Sequence, residues 1–161
     1  MLLDQDAALR GAELLDDTMF YREGHRRLFR AILALTERRV VIDHVTLRDE
    51  LLRRGELDVA GGVAYLADLV DAVPTAANIE FHARIVKDKA ILRRLIETGV
   101  RDGVFVVESP RLAAYAILDM GAGVAGWFRP GDAVRQDELA IRYADFALRL
   151  VGARRAGRRS G

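Results

Sequence analysis

"AILRRLIETGVRDG", residues Ala90–Gly103, is the point at which one long helical pattern either continues or stops. Upstream of it, Ile79, Ala83, Val86 and Ala90 fall on one helical stripe, which Ile85, Leu92 and Ile96 widen. Neither Pro nor Gly interrupts the pattern from Ala76 until Gly99, and Gly103 is an equally good C-cap. The spacing therefore predicts a long helix and leaves open whether it breaks at Gly99.

Working back towards the N-terminus, Gly61-Gly62 opens a shorter helix that Pro74 closes. Before it, Thr46 stands three residues ahead of Asp49, a capping arrangement for a helix that stops at Gly55. "RVVIDHVT" is a β-branched connector, preceded by a helix over Tyr21–Arg38 and an amphipathic segment over Asp4–Leu15. Phe20, Leu28, Phe29, Ile32, Leu51, Tyr65, Leu66 and Leu69 are the expected core of this first part.

Towards the C-terminus, "VFVVE" is too short to read as a strand. Ser109-Pro110 is a helix start, with a hydroxyl N-cap followed by Pro at the first helical position. Pro130-Gly131 turns the chain, and a last helix runs from about Gln136 to Val151. The end, "GARRAGRRSG", holds four Arg and three Gly with no apolar residue larger than Ala, so residues 153–161 are expected to be a disordered tail. The fold class expected is all-α: a small helical bundle continued through a long helix into a C-terminal antiparallel helix pair.

The 161 residues carry 25 Lys and Arg against 24 Asp and Glu, so no global charge excess recruits nucleic acid or a membrane surface. There is no Cys, which excludes disulfides, thiolate metal sites and Cys nucleophiles. No apolar run approaches the ~18 residues of a membrane span. The first residues, "MLLDQDAALRG", do not read as a signal peptide, and the expectation is a cytoplasmic protein.

Residues 1–96 resemble the N-terminal domain of DnaB-type replicative helicases, through "FYREGHRRLF", "VTLRDELLRRGEL", "GGVAYLADL" and "TAANIEFHARIV". The resemblance implies a small helical bundle whose closing hairpin pairs subunits into a ring collar and docks primase and loader proteins. It also implies a further stretch of helix before "MLLD" and a motor in a separate domain. No G-x-x-x-x-G-K-[ST] loop occurs in this sequence, so the expectation is a chain without helicase activity.

Residues 97–152 resemble a different family, the C-terminal end of TetR-family transcriptional regulators. The matching features are "GVRDGVF", "SPRLAAYAIL", the turn at Trp127–Gly131 and "ELAIRYADFALRL". That resemblance implies a four-helix homodimer interface built from the last two helices of each subunit. The candidate interface is Leu112, Ala113, Ile117, Val124, Trp127, Leu139, Tyr143, Ala147 and Leu150. Arg135 stands where that pattern carries a Ser N-cap, a loss of about 1 kcal/mol that Asp137 and Glu138 offset in part from the first turn. No DNA-reading helix-turn-helix falls within the matching stretch.

Other motifs dissolve on inspection. "GAGVAG" (Gly121–Gly126) fits G-x-G-x-x-G, but no strand precedes it and Trp127–Pro130 ends a helix soon after. His25, His44 and His82 lack ligand spacing; a structural hydrogen bond is expected for His25 and packing for His82. No catalytic, metal or cofactor site is expected. The reading is a self-associating protein-docking module, with a homodimer expected and a hexamer as the collar's alternative. The competing reading is a remnant of a ligand-responsive regulator that lacks its DNA-binding domain.

Overall fold

The structure, a computed structural model, describes residues 4–72, 77–129, 131 and 134–153. The stop at Pro74, the turn at Pro130 and the tail from residue 154 lie outside the described residues. The fold is all-α, with seven α-helices and no strand among the described residues. The chain divides into two compact units, residues 1–90 and 91–161.

The first unit holds α1 (Gln5–Leu14), a 3₁₀ turn at Asp17–Met19, α2 (Glu23–Glu37), α3 (His44–Arg53), α4 (Gly62–Ala72) and the beginning of α5 (Ile79–Arg101). α2 is its spine, because its apolar residues cover two directions at once. Leu28, Ala31, Ile32 and Leu35 pack with Leu47 and Leu51 of α3 and Leu66 of α4. Phe29 closes a second cluster with Leu15 and Ala83 of α5, with Phe20, Leu33 and Val86 packed against it. Leu47 and Leu51 are fully buried, and each such side chain stabilises the fold by about 1.5–3 kcal/mol. Tyr65 and Leu69 are half-buried against the same core.

Local chemistry sets the helix ends. Asp43, rather than Thr46, is the N-cap of α3: its carboxylate accepts from the Thr46 backbone N–H at 2.8 Å. Thr46 sits at the third helical position and returns the bond, its hydroxyl accepting from the Asp43 N–H at 3.0 Å. The hydrogen bond from the Thr46 backbone is the main cause that holds the Asp43 carboxyl below its ordinary pKa. α2 begins at Glu23, two residues later than the apolar spacing predicts, because Arg22 is extended and offers no side-chain cap. Gly24 lies against the chain leading into α4, where a Cβ would come 2.7 Å from the Val59 carbonyl oxygen.

Two polar clusters bind the unit. Glu50 is buried on α3, and the guanidinium groups of Arg38, Arg53 (2.7 Å) and Arg54 (2.6 Å) all donate to it. Donation from Arg53, with Arg54 and Arg38, outweighs burial and draws the carboxyl down to about 2. His25 makes its expected structural bond, with Nε2 2.6 Å from the Tyr65 hydroxyl and the two rings stacked. Burial first, then the Arg22 charge, pushes the His25 imidazole below its ordinary pKa. His82, expected in packing, is exposed and meets only the edge of Phe81 among its ring contacts.

The second unit holds the rest of α5, then α6 (Pro110–Trp127) and α7 (Gln136–Leu150). α5 runs through Gly99 without a break. Ser109 caps α6, accepting from the Leu112 N–H at 3.3 Å, and Pro110 holds the first helical position. Arg135 at the N-cap of α7 makes no side-chain cap bond; its guanidinium instead meets Asp137 at 3.0 Å. Ile96 of α5 and Ala113 and Ala114 of α6 cluster with Val151, just past the end of α7. The start of α6 thus meets the end of α7, so the two helices are antiparallel. "VFVVE" forms no strand; the Val106 N–H donates to the Val151 carbonyl at 2.9 Å and ties the connector to the end of α7.

Candidate self-association surface

α6 has the composition of a buried helix. Of its 18 residues only Arg111 and Asp119 are charged, and a helix apolar nearly all round belongs in an interior. Yet only Ala113 and Ala114 are buried within this chain. Leu112 is 64% exposed and Trp127 53%, while Ile117 and Val124 are half-buried. The Arg111 guanidinium lies over the Tyr115 ring at 5.3 Å, which places one of the two charges to the side of the bare stripe.

α7 shows the same imbalance on two flanks. Leu139 is buried, and Tyr143 and Ala147 are half-buried along the face that turns inward. On one side of that face Phe146 and Leu150 stand exposed, with the Phe146 ring 5.7 Å from that of Tyr143. On the other side Ile141, Ala144 and Leu148 form an i, i+3, i+7 stripe, with Ile141 71% and Leu148 50% exposed. Four of the five charges occupy the remaining arc, as the i,i+4 pairs Arg142–Glu138 (2.5 Å) and Arg149–Asp145 (2.7 Å), and the fifth, Asp137, lies one turn before Ile141.

The nine residues singled out from the sequence therefore divide. Ala113 and Leu139 fill the unit's own interior. Ile117, Val124, Tyr143 and Ala147 are shared between that interior and solvent, and Leu112, Trp127 and Leu150 face outward. Phe146, which the helical spacing puts on the same face as Leu139, Tyr143, Ala147 and Leu150, joins the outward set, as do Ile141 and Leu148, which no sequence argument placed there. Their signal was available in the seven-residue spacing of Ile141 and Leu148 on an otherwise charged arc.

Nothing in the described residues forms a metal-binding cluster of His, Asp or Glu, and no described helix is long and apolar enough to cross a membrane. The arrangement offers exposed apolar area beside surface ion pairs.

Comparison with known proteins finds two families in this chain. The DnaB-like helicase N terminal domain family matches residues 1–88, and the tetracyclin repressor-like, C-terminal domain family matches residues 61–151. Residues 61–88, α4 and the first part of α5, are thus common to both. The replicative DNA helicase DnaB of Geobacillus stearothermophilus is 46% identical over 99 residues, 62% of this chain and 22% of that protein. DnaB of Mycobacterium leprae is 48% identical over 101 residues, 63% of this chain and 17% of its own length. The chain spans about a fifth of the length of the curated relatives it matches. The crystal structure of the N-terminal domain of DnaB helicase from Mycobacterium tuberculosis aligns with a TM-score of 0.61 at 35% identity, covering 94% of this chain and 88% of that one. The chain belongs to the DnaB-like helicase N terminal domain family, and its second half carries the tetracyclin repressor-like C-terminal domain pattern.

Proposed function

We propose that this chain is a non-catalytic, all-helical self-association and protein-docking module of the replicative-helicase type, in which α6 and α7 pair two copies as a regulator-type helix pair does. The observation that carries this reading is α6, an apolar helix of 18 residues with two charges and two buried side chains. Three outward side chains per copy, buried across a two-fold axis, supply roughly 9–18 kcal/mol at ~1.5–3 kcal/mol each. That gross gain opposes about 4–15 kcal/mol of lost translational and rotational freedom. The balance favours a homodimer, and a hexameric collar is the larger assembly open to it. The sequence holds no phosphate-cradling Walker loop, and the module neither hydrolyses ATP nor unwinds DNA. Its setting is cytoplasmic DNA replication, with primase or a helicase loader as the protein partner.

The test is solution mass by size-exclusion chromatography with light scattering across a dilution series. A mass of two chains that falls on dilution supports the reading, and a single-chain mass at every concentration sinks it. A second reading, a ligand-responsive regulator remnant, draws on the match at residues 61–151 and on an open cavity of about 740 Å³ at the start of α7. Phe128, Val134 and Ala140 line that cavity, together with Arg135, Gln136 and Asp137. Thermal shifts with small apolar ligands separate the two, because a ligand held there raises the unfolding temperature.

A further inference from the structure

A second unfilled apolar feature lies in the first unit, on helices that take no part in the α6–α7 surface. α3 and α4 enclose a groove of about 250 Å³ whose floor and sides are Val63, Leu66, Ala67 and Val70. α4 leaves it open because Leu66 is its only buried residue, while Val63 remains more than half exposed. The volume falls below the ~300–1,000 Å³ of small-molecule sites. It suits a few aliphatic anchors, and a trough between two helices is shaped for the ridge of a third.

The two walls differ in charge. The α3 wall is His44 and Arg48, and the α4 wall is Asp71, with Asp68 one turn before it and no basic residue anywhere on α4. Among the described residues Arg48 pairs with its exposed neighbour Asp49, at 2.7 Å, a contact that costs little to exchange. An occupant must therefore present aliphatic residues between one acidic and one basic edge. The exposed stripes of α6 and α7 do not meet that requirement: α6 carries only two charges, and on α7 Glu138, Arg142, Asp145 and Arg149 lie to one side of the Ile141–Leu148 stripe, with Asp137 one turn before Ile141.

We infer that the α3–α4 groove docks an amphipathic helix of a partner protein, with aliphatic anchors one turn apart, an acidic edge towards His44 and Arg48, and a basic edge towards Asp68 and Asp71. The recognition is that of a helix in a groove, with apolar anchors giving affinity and the two edges giving selectivity. It rests on the protein-docking part of the proposed function and not on self-association through α6 and α7.

The test uses three synthetic 16-residue helical peptides, each with Leu at i, i+4 and i+7. One has Glu on one edge and Lys on the other, one has Glu on both edges and one has Lys on both. Binding to the full chain is read by fluorescence anisotropy. The two-edged peptide should bind saturably and roughly tenfold more tightly than either single-sign peptide. Arg48→Glu should transfer the preference to the Lys-only peptide, and Ala67→Trp, at an exposed position, should fill the groove and abolish binding while leaving the helical circular dichroism unchanged. Equal affinity for all three peptides, absence of saturable binding, or binding that survives Ala67→Trp overturns the inference. Peptide binding is measured below the dimer concentration, so failure here leaves the self-association result intact, and the reverse.

Discussion

The ring of Phe105 packs so closely on the backbone of Gly99 that a Cβ at that position would overlap its Cδ2 and Cε2 atoms. The same glycine's carbonyl accepts from the N–H groups of Val104 (2.8 Å) and Phe105 (2.9 Å), closing the end of α5. Gly99 is thus the seat of an aromatic side chain inside a continuous helix. Replacing Gly by Ala in a helix gains about 1 kcal/mol of propensity. Overpacking against a fixed ring costs about 1–3 kcal/mol. Gly99→Ala should therefore destabilise the second unit, by up to about 2 kcal/mol on those figures. The double variant with Phe105→Ala should show positive coupling in urea unfolding, because the clash is removed with the ring. Additive losses would mean that Phe105 does not seat on Gly99.

Glu50 makes the first unit sensitive to acid. Its carboxyl lies at about 2 in the fold against an ordinary 4.5, so the unfolded chain takes up the proton first as the pH falls. The stabilisation is full above pH 4.5 and is lost between there and about 2. Glu50→Gln removes the charge that three Arg side chains share, but those chains reach solvent, so they are not stranded in the interior. A loss of about 1–3 kcal/mol at pH 7 is expected. Urea unfolding at pH 7, 4 and 3 should show the gap between native and variant closing as the pH drops. A gap that stays constant over that range would contradict the assignment.

What could be read from the sequence, and what could not, follows from the range of the forces involved. Ser109-Pro110, Gly55 and the stripe on α2 announce themselves because capping and amphipathic spacing act within one or two turns. Continuity through Gly99 could not be read, since Gly99 and Gly103 are equally good stops by spacing and the Phe105 ring that seats on Gly99 comes from beyond the helix end. The N-cap of α3 was misplaced by three residues because both ends of a capping box carry side-chain oxygens. Only the reciprocal bonds show that Asp43 is the cap and Thr46 the third helical position. On α7 the seven-residue spacing of Ile141 and Leu148 is legible, but that their flank stays bare is not, because it requires Leu139 and Val151 to face inward.

Arg39 follows the end of α2 with φ of 57°, a left-handed conformation that an L side chain adopts at a cost. It is exposed, and its N–H is satisfied by the Thr36 carbonyl at 3.0 Å, so the backbone geometry and not the side chain matters at this site. Arg39→Gly relieves the strain while loosening the unfolded chain. A net gain of about 0.5–1 kcal/mol is expected, seen as a higher urea midpoint with an unchanged slope. A lower midpoint would show that the guanidinium contributes more than the conformation costs.

The two flanks of α7 can be separated from its interior by where a charge is placed. Ile141 and Leu148 are each at least half exposed, so Ile141→Glu with Leu148→Glu leaves the folded single chain almost undisturbed. Across a contact between copies, each carboxylate would be stripped of water without a partner, at a cost of several kcal/mol. Light scattering should then report a single-chain mass, with helical content and unfolding midpoint near those of the diluted native protein. Ala113→Glu is the contrast, because Ala113 is 3% exposed and packs with Ile96 and Val151 inside one chain. That variant should lose structure in the second unit whether or not copies associate. If the doubly substituted stripe still gives a two-chain mass, the contact lies on the Leu112–Trp127 face of α6 or the Phe146–Leu150 flank of α7, and the same charge substitution applied there becomes the deciding measurement.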